Sequence, residues 1–398
     1  MVEFYKIKQK SGLTILFEKR DTPILTIIAA TRAGAAYENA RNKGIAHFFE
    51  HIVFKGTKTR TAREISSSIE KIGGVLNAFT AEQVTGFWCK LPSKYFSMGA
   101  EIIFDLVTNP KLNAKDIEKE KAVILSEISM YHDMPQHYLF DKQRELLYKG
   151  ILGMPLIGFK KTVAKLKRAD FLKWHNYYCP KNLIVSAVGS ANLKEIDTFV
   201  KKYFENSYKE YKLPKVTITR KSGSLIETRA GLDQTHFTLA FHRPCLTDKR
   251  RYANELFNAI LGEGMSSTLF QEVREKRSLA YAITSFLEQE RSYGHAIIYA
   301  GIEKKNIKKV KEIVLKEIKK MKEIKAKDLE ETKEQKIGNW KLELEACDKT
   351  AIALALQEIA TKAEDLYSYP ERISDVKLQD VRALAKIKNY SLAVLAPK

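Results

Sequence analysis

Cysteine is scarce. The four residues Cys89, Cys179, Cys245 and Cys347 are scattered through 398 positions and form no C-x-x-C pair. That excludes a disulfide framework and a cysteine-built structural zinc site, and it reads as reduced thiols in a cytosolic protein. Long apolar runs are missing too, since none reaches the roughly eighteen residues of a membrane-spanning helix. Met1–Tyr5 leads directly into strand-like Lys6–Phe17, without the apolar core or cleavage site of a secretory leader. The expectation is a cytoplasmic protein with no membrane partner.

Acidic residues are outnumbered, 48 to 68, which leaves a net charge of +20. Such basicity raises the question of nucleic acid, but no RNA-recognition motif, zinc finger or glycine-rich clamp accompanies it. Much of the excess falls in Glu303–Lys327, read as one helix. Ile307, Val310, Ile313, Val314, Ile318, Met321 and Ile324 make its apolar stripe, with lysines on the opposite, solvated face. No nucleic-acid partner is expected.

With 44% hydrophobic and 29% charged residues the chain reads as globular, and its length exceeds one typical core. Two domains are expected, 1–212 and 213–398, with the seam in the polar, Lys- and Tyr-rich stretch Glu205–Lys221 that contains Pro214. A weak internal duplication supports this. Leu13–Phe17 and Leu25–Thr31 read as strands followed by Gly34 and a long helix. Ser224–Thr228 and Thr235–His242 read as strands followed by a loop and a long helix. Further strands are expected at Gly86–Leu91 and Gly294–Gly301. The fold class is α+β: two homologous α/β domains whose antiparallel-rich sheets are packed by helices.

His47-Phe48-Phe49-Glu50-His51 is an H-x-x-E-H run, the inverted form of the H-E-x-x-H zinc signature. A helix turns by about 100° per residue, so both imidazoles lie on one face, within reach of one metal ion. Glu50 precedes the second histidine and can serve a water there without being a ligand. The bland alternative is an ordinary surface helix. Against it, Ile45, Phe48, Phe49, Ile52, Val53 and Phe54 make the segment apolar on nearly every side, and buried histidines and carboxylates need partners.

Catalytic zinc usually takes three protein ligands. The best source of a third is Asp116–Tyr131, which reads as a helix with its stripe at Ile117, Ile124, Ile128 and Tyr131. Glu120 and Glu127 fall on that stripe, seven residues and therefore about 20° apart around the axis. Two solvated glutamates on a helix edge are the alternative, which loses its appeal once a two-histidine site awaits a carboxylate.

The run Gly44–His51, continuing through Phe54-Lys55-Gly56-Thr57, resembles the pitrilysin (insulinase) family of zinc peptidases. The likeness is to the short two-domain type, similar to mitochondrial processing peptidase-like bacterial and archaeal members. Glu118–Ile128 resembles the family's third-ligand helix; the resemblance makes Glu127 the ligand and Glu120 a supporting acid. Gly73–Thr80 looks like the substrate-edge segment, which implies that Asn77 and Ala78 bind substrate backbone. Asp133-Met134-Pro135, Tyr178–Asn182 and Gly189 extend the match. Ser266–Tyr281 resembles the arginine/tyrosine segment of active members, so that Arg274 and Tyr281 contact substrate and stabilise the tetrahedral intermediate. Seven-residue spacing lets both reach one region if the segment stays helical. Thr268 departs from the pattern, where relatives often carry Arg, which bears on packing or fine specificity.

The resemblance implies half of a clamshell peptidase with one zinc ion per subunit, held by His47, His51 and Glu127. Zinc lowers the pKa of a water ligand to about 7. Glu50 is the general base, and Glu120 tunes the site. A closed chamber would require a second subunit, so a homodimer acting on peptides or unfolded segments is expected, with a heterodimer possible. The alternative is a non-catalytic or heterodimer-dependent metal-binding subunit of the same family.

Overall fold

Near-continuous apolar runs specify the deepest strands of this protein. Ile24–Thr31 and Leu183–Gly189 are buried along almost their whole length, as strands covered on both faces must be. The computed structural model describes residues 2–205 and 209–398. Met1 and residues 206–208 of the expected seam lie outside the described residues.

In chain order the strands are β1 (Glu3–Lys8), β2 (Thr14–Lys19), β3 (Ile24–Thr31), β4 (Val75–Thr80), β5 (Thr85–Pro92), β6 (Tyr148–Lys149), β7 (Leu183–Gly189), β8 (Thr219–Arg220), β9 (Ser224–Arg229), β10 (Thr235–His242), β11 (Ala280–Gln289), β12 (Gly294–Ile302) and β13 (Ser391–Pro397). The helices of the first half are α1 (Ile45–Val53), α2 (Ala62–Glu70), α3 (Phe96–Thr108), α4 (Ala114–Asp133), α5 (Pro135–Leu147), α6 (Lys160–Val163), α7 (Arg168–His175) and α8 (Leu193–Phe204). Those of the second are α9 (Arg251–Gly262), α10 (Ile307–Lys320), α11 (Ala326–Glu343), α12 (Cys347–Ala360), α13 (Tyr369–Ser374) and α14 (Leu378–Ala383). Mixed sheets and helices of this kind make an α+β fold.

The chain forms two compact units and enters each three times. Unit 1 comprises Met1–Ile128, Pro155–Val216 and Leu342–Leu366; unit 2 comprises Ser129–Met154, Thr217–Lys341 and Tyr367–Lys398. Relative to a division at residue 212, α5 counts with the second unit and α12 with the first.

Unit 1 holds a six-stranded sheet in the order β1-β2-β7-β3-β5-β4, and unit 2 a five-stranded sheet in the order β11-β12-β10-β13-β9. Read from β2 and from β9, five strands follow in the same order and sense: one parallel pair, then antiparallel neighbours throughout. The duplication legible in the sequence is therefore a duplication of topology, with β1 as an added edge strand in unit 1. Each sheet also takes a helix from the other half of the chain. In unit 1, α12 packs on β7 and β3, and its Ala351, Leu354 and Ala355 are buried. In unit 2, α5 packs on β10 and β13, where Leu139 meets Ala393 and Leu395 and the Thr238 hydroxyl donates to Gln143 Oε1 at 2.8 Å.

Three local expectations are revised. The strand-like stretch 6–17 is a hairpin, broken by a turn in which Gly12 adopts φ 91°. The long helix expected after Gly34 is the nine-residue α1, preceded by a short 3-10 turn at Ala35–Tyr37. Glu303–Lys327 is not one helix: α10 stops at Lys320, Met321–Glu323 forms a 3-10 turn, and α11 starts at Ala326. The new start has its own cap, since the Lys325 amide donates to Asp328 Oδ2 at 2.9 Å. The stripe is nonetheless buried at Val310, Val314, Ile318, Met321 and Ile324, and most of its lysines face solvent. All four cysteines are free. Among the described residues no helix is long and apolar enough to cross a membrane.

Candidate metal and active site

The site is built on α1, and its N-terminus is fixed by a buried ion pair. The amides of Gly44 and Ala46 donate to Glu38 Oε2 and Oε1 at 3.1 and 2.7 Å, occupying donors that a helix start leaves unpaired. Lys43 Nζ lies 3.0 Å from Glu38 Oε2, and neither side chain is exposed at all. Burial pushes the Glu38 carboxyl upward, opposed by the Lys43 charge and the two amides. Gly44 has φ 98°, and a Cβ there would meet the Ile157 carbonyl at 2.6 Å, so glycine is required at the helix entry.

One face of α1 is committed to the core. Ile45, Phe48, Phe49 and Ile52 are buried, with the Phe48 ring edge-on to Phe171 at 4.8 Å and Phe49 against Tyr178 at 4.7 Å. Helical periodicity then puts His47, Glu50 and His51 together on the remaining face. The two imidazole rings stand 4.7 Å apart.

From α4, Glu127 brings Oε2 to 3.8 Å from His47 Nε2 and 3.7 Å from His51 Nε2. One ligand atom from each of the three residues lies within 4.8 Å of the others. These separations are too long for hydrogen bonds. They are close to the donor spacing of about 3.4 Å that follows from tetrahedral zinc with bonds of about 2.0–2.1 Å. Glu127 Oε2 is buried and has no hydrogen-bond partner, an orphaned acceptor facing two imidazoles. Burial, followed by the neighbouring His51, pushes the His47 imidazole down to about 4, which leaves it neutral and a competent ligand at neutral pH. Two imidazole nitrogens and one carboxylate fit a zinc ion.

The supporting groups come from three elements. Glu120, one face-repeat before Glu127 on α4, places Oε1 3.2 Å from His51 Nδ1 and Oε2 2.6 Å from Lys55 Nζ. Glu50 Oε2 accepts a 2.6 Å hydrogen bond from the Thr80 hydroxyl at the end of β4. Burial raises the Glu50 carboxyl, opposed by Thr80 and His51 and helped by the charge of Glu127. The sequence reading gives no role to Lys55, Thr80, Glu38 or Lys43. Lys55 had a signal, since it lies four residues beyond His51 on the same side of the turn.

Asn77 and Ala78 sit on β4, an edge strand of the unit 1 sheet. Asn77 is exposed, and its Oδ1 accepts the Ala78 amide at 2.8 Å.

Arg274 and Tyr281 belong to unit 2, and their backbone is not the continuous helix on which the seven-residue spacing relied. Phe270–Glu275 is a π-helical turn, Ser278 adopts φ 49°, and β11 begins at Ala280. Tyr281 is the extra residue of a β-bulge, because pairing jumps from Ala280↔Ile302 to Ala282↔Gly301. The bulge turns the ring out to 80% exposure. The two side chains still converge: the Arg274 guanidinium carbon is 5.6 Å from the Tyr281 ring centre and 4.8 Å from that of Phe270.

Residues 14–158 match the family described as Insulinase (Peptidase family M16), and residues 165–336 match Peptidase M16 inactive domain. Over 297 residues the chain is 33% identical to an uncharacterized zinc protease of Rickettsia felis, covering 74% of this chain and 72% of that one. Over 400 residues it is 28% identical to the uncharacterized zinc protease YmxG of Bacillus subtilis, covering 98% and 97%. Among solved structures, a protease from Helicobacter pylori shares the fold with a TM-score of 0.92 at 23% identity, over 100% of both chains. A peptidase M16 inactive domain from Pseudomonas fluorescens does so with a TM-score of 0.90 at 16% identity, over 100% of this chain and 98% of that one.

Proposed function

Because the chain belongs to the insulinase (peptidase M16) family, we propose that it is a zinc-dependent endopeptidase acting on peptides or unfolded polypeptide segments. The observation that carries this reading is the convergence of His47, His51 and Glu127, with Glu50 held by Thr80 one residue from the second histidine. A bound zinc ion would supply Lewis acidity, polarising a carbonyl and making water acidic near neutral pH.

The remaining chemistry is assigned to side chains. Glu50 takes the proton of the attacking water and returns it to the leaving amine. Its Oε2 is engaged by Thr80, which leaves Oε1 as the freer acceptor. Glu120 receives the Nδ1 proton of His51 and so presents Nε2 with its lone pair toward the metal. Asn77 and Ala78, on an edge strand, take the substrate as an added strand, a mode that reads backbone more than sequence. Arg274 and Tyr281 supply a cation and a hydroxyl to the developing oxyanion. In this reading they act across a homodimer with one zinc ion per subunit, whose closed chamber admits only unfolded chains. A cytoplasmic location goes with it, supported by the free cysteines.

The test is cleavage of an unstructured peptide by wild type and Glu50→Gln, with zinc measured on both. Turnover confined to wild type at equal zinc supports the proposal. A second reading, a non-catalytic or heterodimer-dependent metal-binding subunit, is supported by the match of residues 165–336 to Peptidase M16 inactive domain. Zinc without turnover across a varied peptide library would select it.

A further inference from the structure

A buried guanidinium with a free arm lies in unit 2, at the end of β10. Arg243 is only 6% exposed. Its Nε donates to Asn254 Oδ1, its Nη1 donates to the Leu384 carbonyl at 2.9 Å, and its carbon stands 4.2 Å from the centre of the Phe257 ring. These contacts lock the fork in place, yet Nη2 is buried and has no partner. Burial and then the neighbouring Arg250 push the guanidinium down to about 9, with no carboxylate pulling the other way. An unpaired buried cation of this kind is destabilising by itself, and an oxyanion would supply both the counter-charge and an acceptor for Nη2.

Arg243 lines a cavity of about 300 Å³, together with Arg220, His242, Asp248, Arg250 and Lys386. Asp248 is the only carboxylate of that lining, and both its oxygens are held by Arg250, at 3.0 and 2.7 Å. Four cations therefore face the space against one carboxylate that is already engaged. Every lining residue belongs to unit 2, whereas His47, His51 and Glu127 belong to unit 1. The site is thus independent of the peptidase reading.

We propose that this cavity binds a small tetrahedral oxyanion, inorganic phosphate or the phosphoryl group of a metabolite, with the Arg243 fork at its base and Arg220, Arg250 and Lys386 around it. A single carboxylate would leave most of this charge uncompensated, while a phosphate dianion presents several acceptors to several donors at once. The volume exceeds that of one phosphate and is at the small end for metabolite pockets.

The test titrates inorganic phosphate into the full-length, zinc-loaded protein by calorimetry at constant ionic strength, with acetate and glycerol 3-phosphate in parallel. Saturable binding of one phosphate, millimolar or tighter, with a rise in melting temperature, is expected. Arg220→Ala combined with Lys386→Ala, both at exposed positions, should weaken it about tenfold or more without changing the melting temperature of the anion-free protein. Arg243→Lys, which keeps the charge and loses the fork, should weaken it as well. Tighter glycerol 3-phosphate than phosphate would identify a metabolite as the source, and the reverse order free phosphate. Absence of saturable binding, acetate binding equal to phosphate, or affinity unchanged in the double variant would each overturn the proposal.

Discussion

Oε1 of Glu120 lies 3.2 Å from Nδ1 of His51, and its other oxygen is 2.6 Å from Nζ of Lys55. One nearly buried carboxylate thus bridges an imidazole to an ammonium. The lysine offsets the charge that Glu120 brings indoors, and the carboxylate is placed to accept a hydrogen bond from Nδ1 of His51. Glu120→Gln is expected to lower zinc affinity by about 10–100-fold, with a smaller loss in Lys55→Ala. Competition with a chromogenic chelator measures both, and unchanged affinity in Glu120→Gln would remove it from the site.

His47→Ala and Glu127→Ala should each lose zinc on dialysis, because two remaining donors do not make a tetrahedral site. Elemental analysis of the dialysed proteins decides this. Full zinc occupancy in either variant would contradict the ligand set.

Glu50→Gln is expected to keep its zinc and lose about 10²–10⁴-fold in kcat, the range for removing a general base. Loss of the metal in this variant would make Glu50 a ligand instead.

Glu38→Gln leaves Lys43 buried without its counter-charge and weakens the cap of α1. A destabilisation of about 3–5 kcal/mol is expected in urea unfolding, since removing one partner strands the other. A variant that melts like wild type would show that α1 does not depend on this pair.

If Arg274 and Tyr281 act on the zinc site of a second subunit, inactive chains should rescue one another. Mixing Glu50→Gln with Arg274→Ala should restore part of the activity through mixed dimers. No recovery, once subunit exchange is demonstrated, would argue against a site shared in trans.

Much of unit 1 was legible because its signals are local. The apolar run of Ile24–Thr31 marks a deep strand whatever surrounds it, and the spacing of His47, Glu50 and His51 fixes their common face through the pitch of a helix. The pairing of Glu127 with those histidines needed the family resemblance, because helix periodicity alone left Glu120 equally eligible.

Where the reading failed, distant partners overrode local spacing. The spacing of Arg274 and Tyr281 would put them two turns apart on one face of a helix, yet pairing of β11 with β12 draws Tyr281 into a strand, and the chain accommodates this with a π-turn, Ser278 at positive φ and a bulge. Similarly, the sequences of α5 and α12 define amphipathic helices but not the sheets that cover them.

The sequence by itself determined strands β2, β3, β5, β9, β10 and β12, the common face of His47, Glu50 and His51 on α1 and the repetition of its two halves, since each is written in the spacing of neighbouring residues. Tertiary structure alone decided that Lys55 meets Glu120, that Thr80 holds Glu50, that each half lends a helix to the other's sheet and that Arg243 Nη2 is left unpaired. Those outcomes depend on which groups from remote segments arrive within hydrogen-bonding distance, and periodicity along the chain carries no record of that.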